Sequence, residues 1–385
     1  MKKREKKEKI PRFPDWVPDG GGDAFTTRVL KGKRIADVKK ERENFEKKNF
    51  PSKNDFIKGI RENNKTLLSK AITLVESNNE KYYSFGREIL EELGFYNEGS
   101  IRIAISGPPG AGKSTFIEKL GMFLIRSGHK VAVLAVDPSS TLSKGSILGD
   151  KTRMEELARE KNCFIRPSPS GGNLGGVTRK SRETIMLLEA AGYDVILIET
   201  VGVGQSETAV RWMVDFFLLL LYPGGGDELQ GVKRGIMEIA DIIVINKADG
   251  NNRKKAEQAK RNFENALHYL LPFTKGWKRK VLLASAVNGE GVENIWEIIE
   301  YFKNQGRKSG ELLRFRKEQS FKWTIELIEN FLKESFFSNE KIEKFLPGIK
   351  DKVRSGKMLP TTAAEKLLSV FFSDYNKFVD RESSI

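Results

Sequence analysis

Short, unbroken apolar runs alternate along the chain with longer stretches in which apolar residues recur at helical spacing. The runs are Ile101–Ser106, Val131–Val136, Val195–Ile198, Phe216–Leu221, Ile242–Ile245 and Val281–Leu283. Several are continuous Val, Ile and Leu, the pattern of strands buried on both faces of a parallel sheet. Strands alternating with helices predict βαβ units, hence an α/β fold around a central, mostly parallel sheet. Upstream, Leu67, Leu68, Ala71, Ile72 and Val75, then Ile89, Leu90 and Leu93, predict two amphipathic helices within residues 51–97. Past about residue 305 the strands stop. Residues 310–337 and 340–380 read as helices, the last with Thr362-Ala363-Ala364-Glu365 at capping-box spacing. The resulting division is an extension over 1–50, an N-terminal helical region over 51–100, a central α/β domain over 101–305 and a C-terminal helical region over 306–385.

Charge sharpens the picture at the N-terminus. The 67 Lys and Arg against 52 Asp and Glu give +15. Residues 1–50 hold 16 basic against 9 acidic side chains, so +7 of that total sits there. Pro11, Pro14, Pro18 and Gly20-Gly21-Gly22 lie in the same segment, which cannot build a core and reads as a solvated tail. Its mixed signs differ from an acid-poor transit peptide, and no aromatic interleaving of the single-strand-binding kind accompanies it. Nucleic acid is therefore not an expected partner. The longest apolar run, Phe216 to Tyr222, falls far short of the ~20 residues of a membrane helix. A cytoplasmic bacterial protein is expected, with the mitochondrial matrix less favoured. One cysteine and two distant histidines, His129 and His268, exclude a Cys-rich zinc module and disfavour a His-based metal site.

Gly107-Pro108-Pro109-Gly110-Ala111-Gly112-Lys113-Ser114 matches G-x-x-x-x-G-K-[ST] in full, after an apolar strand and before an amphipathic helix that Thr115 and Phe116 continue. Such a loop turns backbone N–H groups toward phosphate oxygens, and the helix N-terminus adds a favourable dipole. Lys113 is the candidate for neutralising the β- and γ-phosphates, and Ser114 for ligating Mg²⁺. Asn246-Lys247-Ala248-Asp249 follows the run Ile242–Ile245 and fits N-K-x-D, in which a carboxylate accepts two hydrogen bonds from guanine. Adenine lacks that donor pair, so a buried carboxylate left unpaired rejects it. Ser285-Ala286, with Val287 next, stands after the run Val281–Leu283, where a backbone donor would meet the guanine oxygen.

Three acids complete the candidate metal set. Asp137 ends the run Val131–Val136, Asp150 opens a helix, and Glu199 follows the run Val195–Ile198. Acids at strand ends face the ligand side of an α/β sheet. The residue after Gly202 is Val203, where small GTPases carry a water-positioning Gln. Slow hydrolysis that depends on a conformational change or a partner is the expectation. Four aromatic or apolar residues, Trp212, Met213, Phe216 and Phe217, read as core, Cys163 as the start of a strand, and Arg166-Pro167-Ser168 and Arg179-Lys180 as loop and helix-start residues.

These residues carry a resemblance. The chain resembles the MeaB/ArgK branch of the metallochaperone-related P-loop GTPases, which includes methylmalonic aciduria type A proteins. The matching stretches are Val136–Ser140, Gly145–Met154, Phe164–Ser170, Leu174–Val177, Glu199–Glu207 and Gly226–Gly231, and the likeness covers about residues 55–380. The resemblance implies a P-loop GTPase that acts as chaperone to an adenosylcobalamin-dependent acyl-CoA mutase of the methylmalonyl-CoA mutase type, gating cofactor loading and protecting the mutase. Cobalamin would enter only through that partner. It implies a homodimer held by C-terminal helices. Lys113, Ser114, Asp137, Asp150 and Glu199 would surround Mg·GTP, and Asn246, Lys247, Asp249, Ser285 and Ala286 would hold the base. Residues 222–233 would be an extra switch facing the mutase, and Arg153 and Lys233 candidate charge stabilisers. Two alternatives stand beside this reading: a kinase of an amino-acid transport system, which N-K-x-D disfavours, and a nickel- or cobalt-type metallochaperone GTPase, which the scarcity of His and Cys disfavours.

Overall fold

The computed structural model describes residues 50–94, 99–136, 154–167, 174–200, 207–224 and 234–382. Seven strands form one sheet: β1 (Ile101–Ser106), β2 (Val131–Val136), β3 (Cys163–Arg166), β4 (Val195–Thr200), β5 (Phe216–Leu221), β6 (Ile242–Ile245) and β7 (Lys280–Leu283). Their order is β3-β2-β4-β1-β5-β6-β7, and every pairing is parallel. β1 lies at the centre, with Ile103 beside Leu197 of β4 and Phe216 of β5. The chain leaves β1 for the β2 side and later returns to the β5 side. The C-terminal end of β1 is thus the switch point at which α/β sheets bind ligands.

The unbroken apolar runs are explained by burial on both faces. Ile101, Ile103 and Ile105 of β1, with Phe216, Leu218 and Leu220 of β5, enter one core layer. Ala104 of β1 and Phe217, Leu219 and Leu221 of β5 enter the other. The first layer is covered by α4 (Lys113–Arg126) and α10 (Val292–Lys308). The second is covered by α1 (Lys53–Arg61), α2 (Lys65–Val75), α3 (Glu80–Leu93) and α6 (Leu174–Ala190). The remaining helices are α5 (Glu155–Arg159), α7 (Glu207–Arg211), α8 (Arg234–Ile239), α9 (Arg253–Leu267), α11 (Glu311–Phe337), α12 (Glu340–Arg354) and α13 (Pro360–Glu382). No described helix is long and apolar enough to cross a membrane.

Several expectations need correction. Residues 51–97 hold three helices rather than two. Asn63 takes φ +57, and Asn64 then caps α2 by accepting from the N–H groups of Thr66 and Leu67. The predicted helix 340–380 is two: α12 ends at Arg354 with Ser355 as its C-cap, Gly356 takes φ +72, and Pro360 opens α13. Pro suits a first helical position because its missing N–H has no partner there anyway. Thr362 therefore lies inside the first turn and is not the cap. Arg179-Lys180 is not a helix start but lies within α6. Trp212 is half-buried rather than core, packed edge-on against Phe273 with the Lys322 ammonium over its face at 3.9 Å. Met213, Phe216 and Phe217 are buried as expected, and Cys163 does begin β3.

At the N-terminal ends of the strands, α11 is tied to the sheet by a buried ion pair. Arg316 donates from Nε and Nη2 to Asp215 at 2.8 and 2.6 Å, and Asp215 also accepts the Arg102 backbone N–H at 2.9 Å. Burial pushes the Asp215 carboxyl up, but the Arg316 charge and hydrogen bonds outweigh it and hold the carboxyl below the ordinary carboxylate range.

Candidate functional site

Three loops meet beyond the C-terminal ends of β1, β6 and β7. The first, Gly107–Gly112, joins β1 to α4. Glycine is required at both of its ends. Gly107 has φ +152, and a Cβ there would lie 2.0 Å from the Leu220 carbonyl oxygen. Gly112 has φ +84 and would place a Cβ 2.8 Å from Asn246 Nδ2. The loop is thus packed against β5 on one side and the β6 loop on the other. Gly112 stands at the N-cap of α4 with no side-chain cap, so the first N–H groups of that helix are left for a ligand.

Lys113 turns its ammonium back onto the loop, donating to the carbonyls of Gly107 at 2.8 Å and Pro108 at 3.2 Å. Burial lowers its pKa from the ordinary lysine value, and the charges of Glu199 and Glu207 partly oppose that shift. The Ser114 hydroxyl donates to Glu199 Oε1 at 2.9 Å. Glu199 lies inside β4 rather than after it, because the strand runs on to Thr200. The Thr200 hydroxyl donates to the buried Ser106 hydroxyl at 2.8 Å, pinning the end of β4 to the end of β1. Neither Ser106 nor Thr200 was singled out by motif; their only sequence signal is a hydroxyl ending each of two apolar strands.

The second and third loops assemble around Asn246, which is 1% exposed. Its Nδ2 donates to the Ala111 carbonyl at 2.8 Å, and its Oδ1 accepts the Ala286 N–H at 3.0 Å. One amide therefore joins all three loops. The Ser285 hydroxyl donates to Asp249 Oδ1 at 2.9 Å, which holds that carboxylate half-buried at the rim. Lys247 takes φ +57, a left-handed conformation for a residue with a Cβ, and its ammonium lies 5.0 Å from the Tyr222 ring centroid. Val287 is 74% exposed at the outer edge. Pro109, Gly110 and Thr115 lie on the same loop and first helical turn.

Of the predicted site residues, the structure brings together Gly107 to Thr115, Glu199, Asn246, Lys247, Asp249, Ser285, Ala286 and Val287. Asp137, Asp150, Arg153 and Lys233 lie outside the described residues, as do Gly202 and Val203. Chemically, the arrangement offers an N–H-lined loop with a lysine for polyanionic oxygens, and a rim carboxylate for a donor pair. The Ser114 hydroxyl and Glu199 carboxylate form a hard oxygen pair of the type Mg²⁺ prefers, so the donors fit that ion.

Comparison with known proteins places the chain in a family. The family model described as methylmalonyl Co-A mutase-associated GTPase MeaB matches residues 68–341. A putative GTPase of Caulobacter vibrioides is 49% identical over 304 residues, covering 79% of this chain and 93% of its own. The mitochondrial methylmalonic aciduria type A homolog of Mus musculus is 47% identical over 325 residues, covering 82% of this chain and 78% of its own. The crystal structure of a LAO/AO transport system kinase superposes with a TM-score of 0.69 at 38% identity, covering 84% of this chain and 98% of that one. With most of its length matched by one family model and by relatives well above 30% identity, the chain belongs to the MeaB family of methylmalonyl-CoA mutase-associated GTPases.

Proposed function

We propose that this protein hydrolyses GTP with Mg²⁺ and acts as a chaperone of an adenosylcobalamin-dependent acyl-CoA mutase, gating cofactor loading and protecting the mutase. The observation that carries the nucleotide part is the Asn246 bridge, which joins the phosphate loop to the β7 loop, whose Ser285 in turn holds Asp249. The mutase part rests on the family and on the name of the mouse homolog.

In this reading the loop N–H groups and Lys113 bind the β- and γ-phosphates. The Lys113 ammonium leaves the Gly107 and Pro108 carbonyls for phosphate oxygens, a charge-assisted exchange that phosphate favours. Water attacks the γ-phosphorus, the bond to the β-phosphate oxygen breaks, and the water's protons end on phosphate. Ser114 and Glu199, with Asp137 and Asp150, would hold Mg²⁺, which supplies neutralisation of the developing charge on the phosphate oxygens. Arg153 and Lys233 are the proposed charge stabilisers. Asp249 accepts the guanine donor pair, and Asn246, Lys247, Ser285 and Ala286 shape the base pocket. With Val203 after Gly202, intrinsic turnover is slow and rises with the partner.

We further propose a homodimer formed by the C-terminal region from residue 306. Phe321, Ile328, Phe331, Leu332 and Phe345 are all exposed on its helices, which supports a covered face in the assembly. The bacterial cytoplasm is the proposed compartment. The solved relative named as a transport system kinase supports a second, ATP-using reading; the N-K-x-D sequence of the β6 loop stands against it. The experiment is GTP turnover by the purified protein with and without an adenosylcobalamin-dependent mutase. Stimulation by the mutase is the expected result; indifference to every such mutase removes the chaperone role.

A further inference from the structure

The tyrosine that leaves β5 toward the base pocket is not part of any nucleotide-binding motif. Tyr222 follows Leu221, whose carbonyl accepts the Asn246 N–H at 2.7 Å, so its backbone is anchored beside the β6 loop. Its half-buried ring packs against the core layer that also holds Ala111 and Ala286. The face of that ring meets the exposed Lys247 ammonium at 5.0 Å, within the range of a cation–π contact. Its hydroxyl lies at the phosphate loop, where a methyl placed on Gly110 would stand 4.0 Å away. Lys247 is therefore held at both ends. A left-handed backbone at φ +57 fixes the foot of its side chain, and the Tyr222 ring fixes the head.

We infer that Tyr222 is a positioning residue for guanine-nucleotide binding: its ring pre-organises Lys247 so that the lysine stem forms one wall of the base pocket. This inference rests on the GTP reading of the site. A long, unbranched side chain free in solvent loses rotamer freedom when a ligand packs on it, and pre-ordering removes that cost from binding. The other parts of the pocket are already fixed by hydrogen bonds, through Asn246 to Ala111 and Ala286 and through Asp249 to Ser285. Lys247 is the one base-loop side chain whose described restraint is an aromatic face.

The test is a double-mutant cycle read by GDP dissociation constants on the full chain: wild type, Tyr222→Leu, Lys247→Ala and both together. Leu keeps apolar bulk but removes the π-face. Tyr222→Leu is expected to weaken GDP binding about two- to five-fold when Lys247 is present, the size of an exposed cation–π contact. In the Lys247→Ala background the same change is expected to do little more. Tyr222→Phe, which retains the ring, is expected to lie nearer to wild type than Tyr222→Leu. Equal weakening in both backgrounds would mean that Tyr222 is only packing, and tighter binding in Tyr222→Leu would mean that the ring draws Lys247 away from the pocket; either overturns the inference. Thermal unfolding of each variant identifies one that has simply failed to fold, and Tyr222→Met then replaces Tyr222→Leu in the cycle. Absence of GDP binding by the wild type would instead remove the GTP reading itself.

Discussion

Replacing Asn246 with Ala removes the one side chain that joins the three loops, and its cost can be worked from the structure. The Ala111 carbonyl would lose its donor at 2.8 Å, and the Ala286 N–H its acceptor at 3.0 Å. Both belong to buried residues, Ala111 at 0% and Ala286 at 4% exposure. Each backbone group stranded without a partner costs about 1–3 kcal/mol, so Asn246→Ala should destabilise the nucleotide-free protein by about 2–4 kcal/mol once water has partly re-entered. Asp249→Asn is the matched control. The new side chain still presents an oxygen to the Ser285 hydroxyl, so stability should change by less than about 0.5 kcal/mol. The two variants should thus divide: Asn246→Ala lowers both stability and affinity for guanine nucleotides, whereas Asp249→Asn lowers guanine selectivity alone. Urea unfolding followed by tryptophan fluorescence, without nucleotide, measures the first quantity. If Asn246→Ala unfolds at the wild-type midpoint with the same slope, the loops are not held together by this amide and the reasoning fails.

Further consequences can be measured independently. Lys113→Ala should abolish detectable GTP binding, since the loop's only lysine is lost; near-normal affinity by fluorescent-nucleotide titration would contradict the phosphate-loop assignment. Arg316→Met should cost about 3–5 kcal/mol in urea unfolding at neutral pH, because it strands the fully buried Asp215 charge; the loss should shrink as pH falls through the depressed Asp215 pKa, since the stability from a lowered carboxylate pKa is present above its unfolded value and lost below the folded one. Burial pushes the Glu183 carboxyl from 4.5 up to about 7, although the Tyr83 hydroxyl donates to it at 2.8 Å. A raised carboxyl pKa stabilises below the unfolded value, and that contribution is lost as pH rises through the folded one. Glu183→Gln should therefore flatten the wild-type decline in stability between about pH 4.5 and 7; an unchanged pH profile would show that Glu183 does not titrate in that window.

Much of this site was legible because its chemistry is local in sequence. The phosphate loop and N-K-x-D are each contiguous, and the unbroken runs Phe216–Leu221 and Ile242–Ile245 have the pattern of strands covered on both faces, which they are. What motif reading could not supply was contact across long separations. Asn246 bonds Ala111 across 135 positions, and Arg316 bonds Asp215 across 101. An arginine on a mostly polar helix looks like surface until the sheet is assembled beneath it. A signal was nevertheless present, since Asp215 and Asp241 each stand immediately before a wholly buried strand. Helix boundaries failed for a different reason. The break at Gly356 and the turn at Asn63 are set by left-handed backbone, which periodicity of apolar residues does not register. The extra helix in residues 51–97 and the restart at Pro360 follow from those two points.

We propose above all that the three loops form a guanine-nucleotide site. Its most direct test is calorimetric titration of the nucleotide-free protein with GDP and with ADP in the presence of Mg²⁺, repeated with Asp249→Asn. Strong preference for GDP is expected in the wild type, and a collapse of that preference in the variant. Equal binding of ADP and GDP by the wild type, or a preference unmoved by Asp249→Asn, would contradict it.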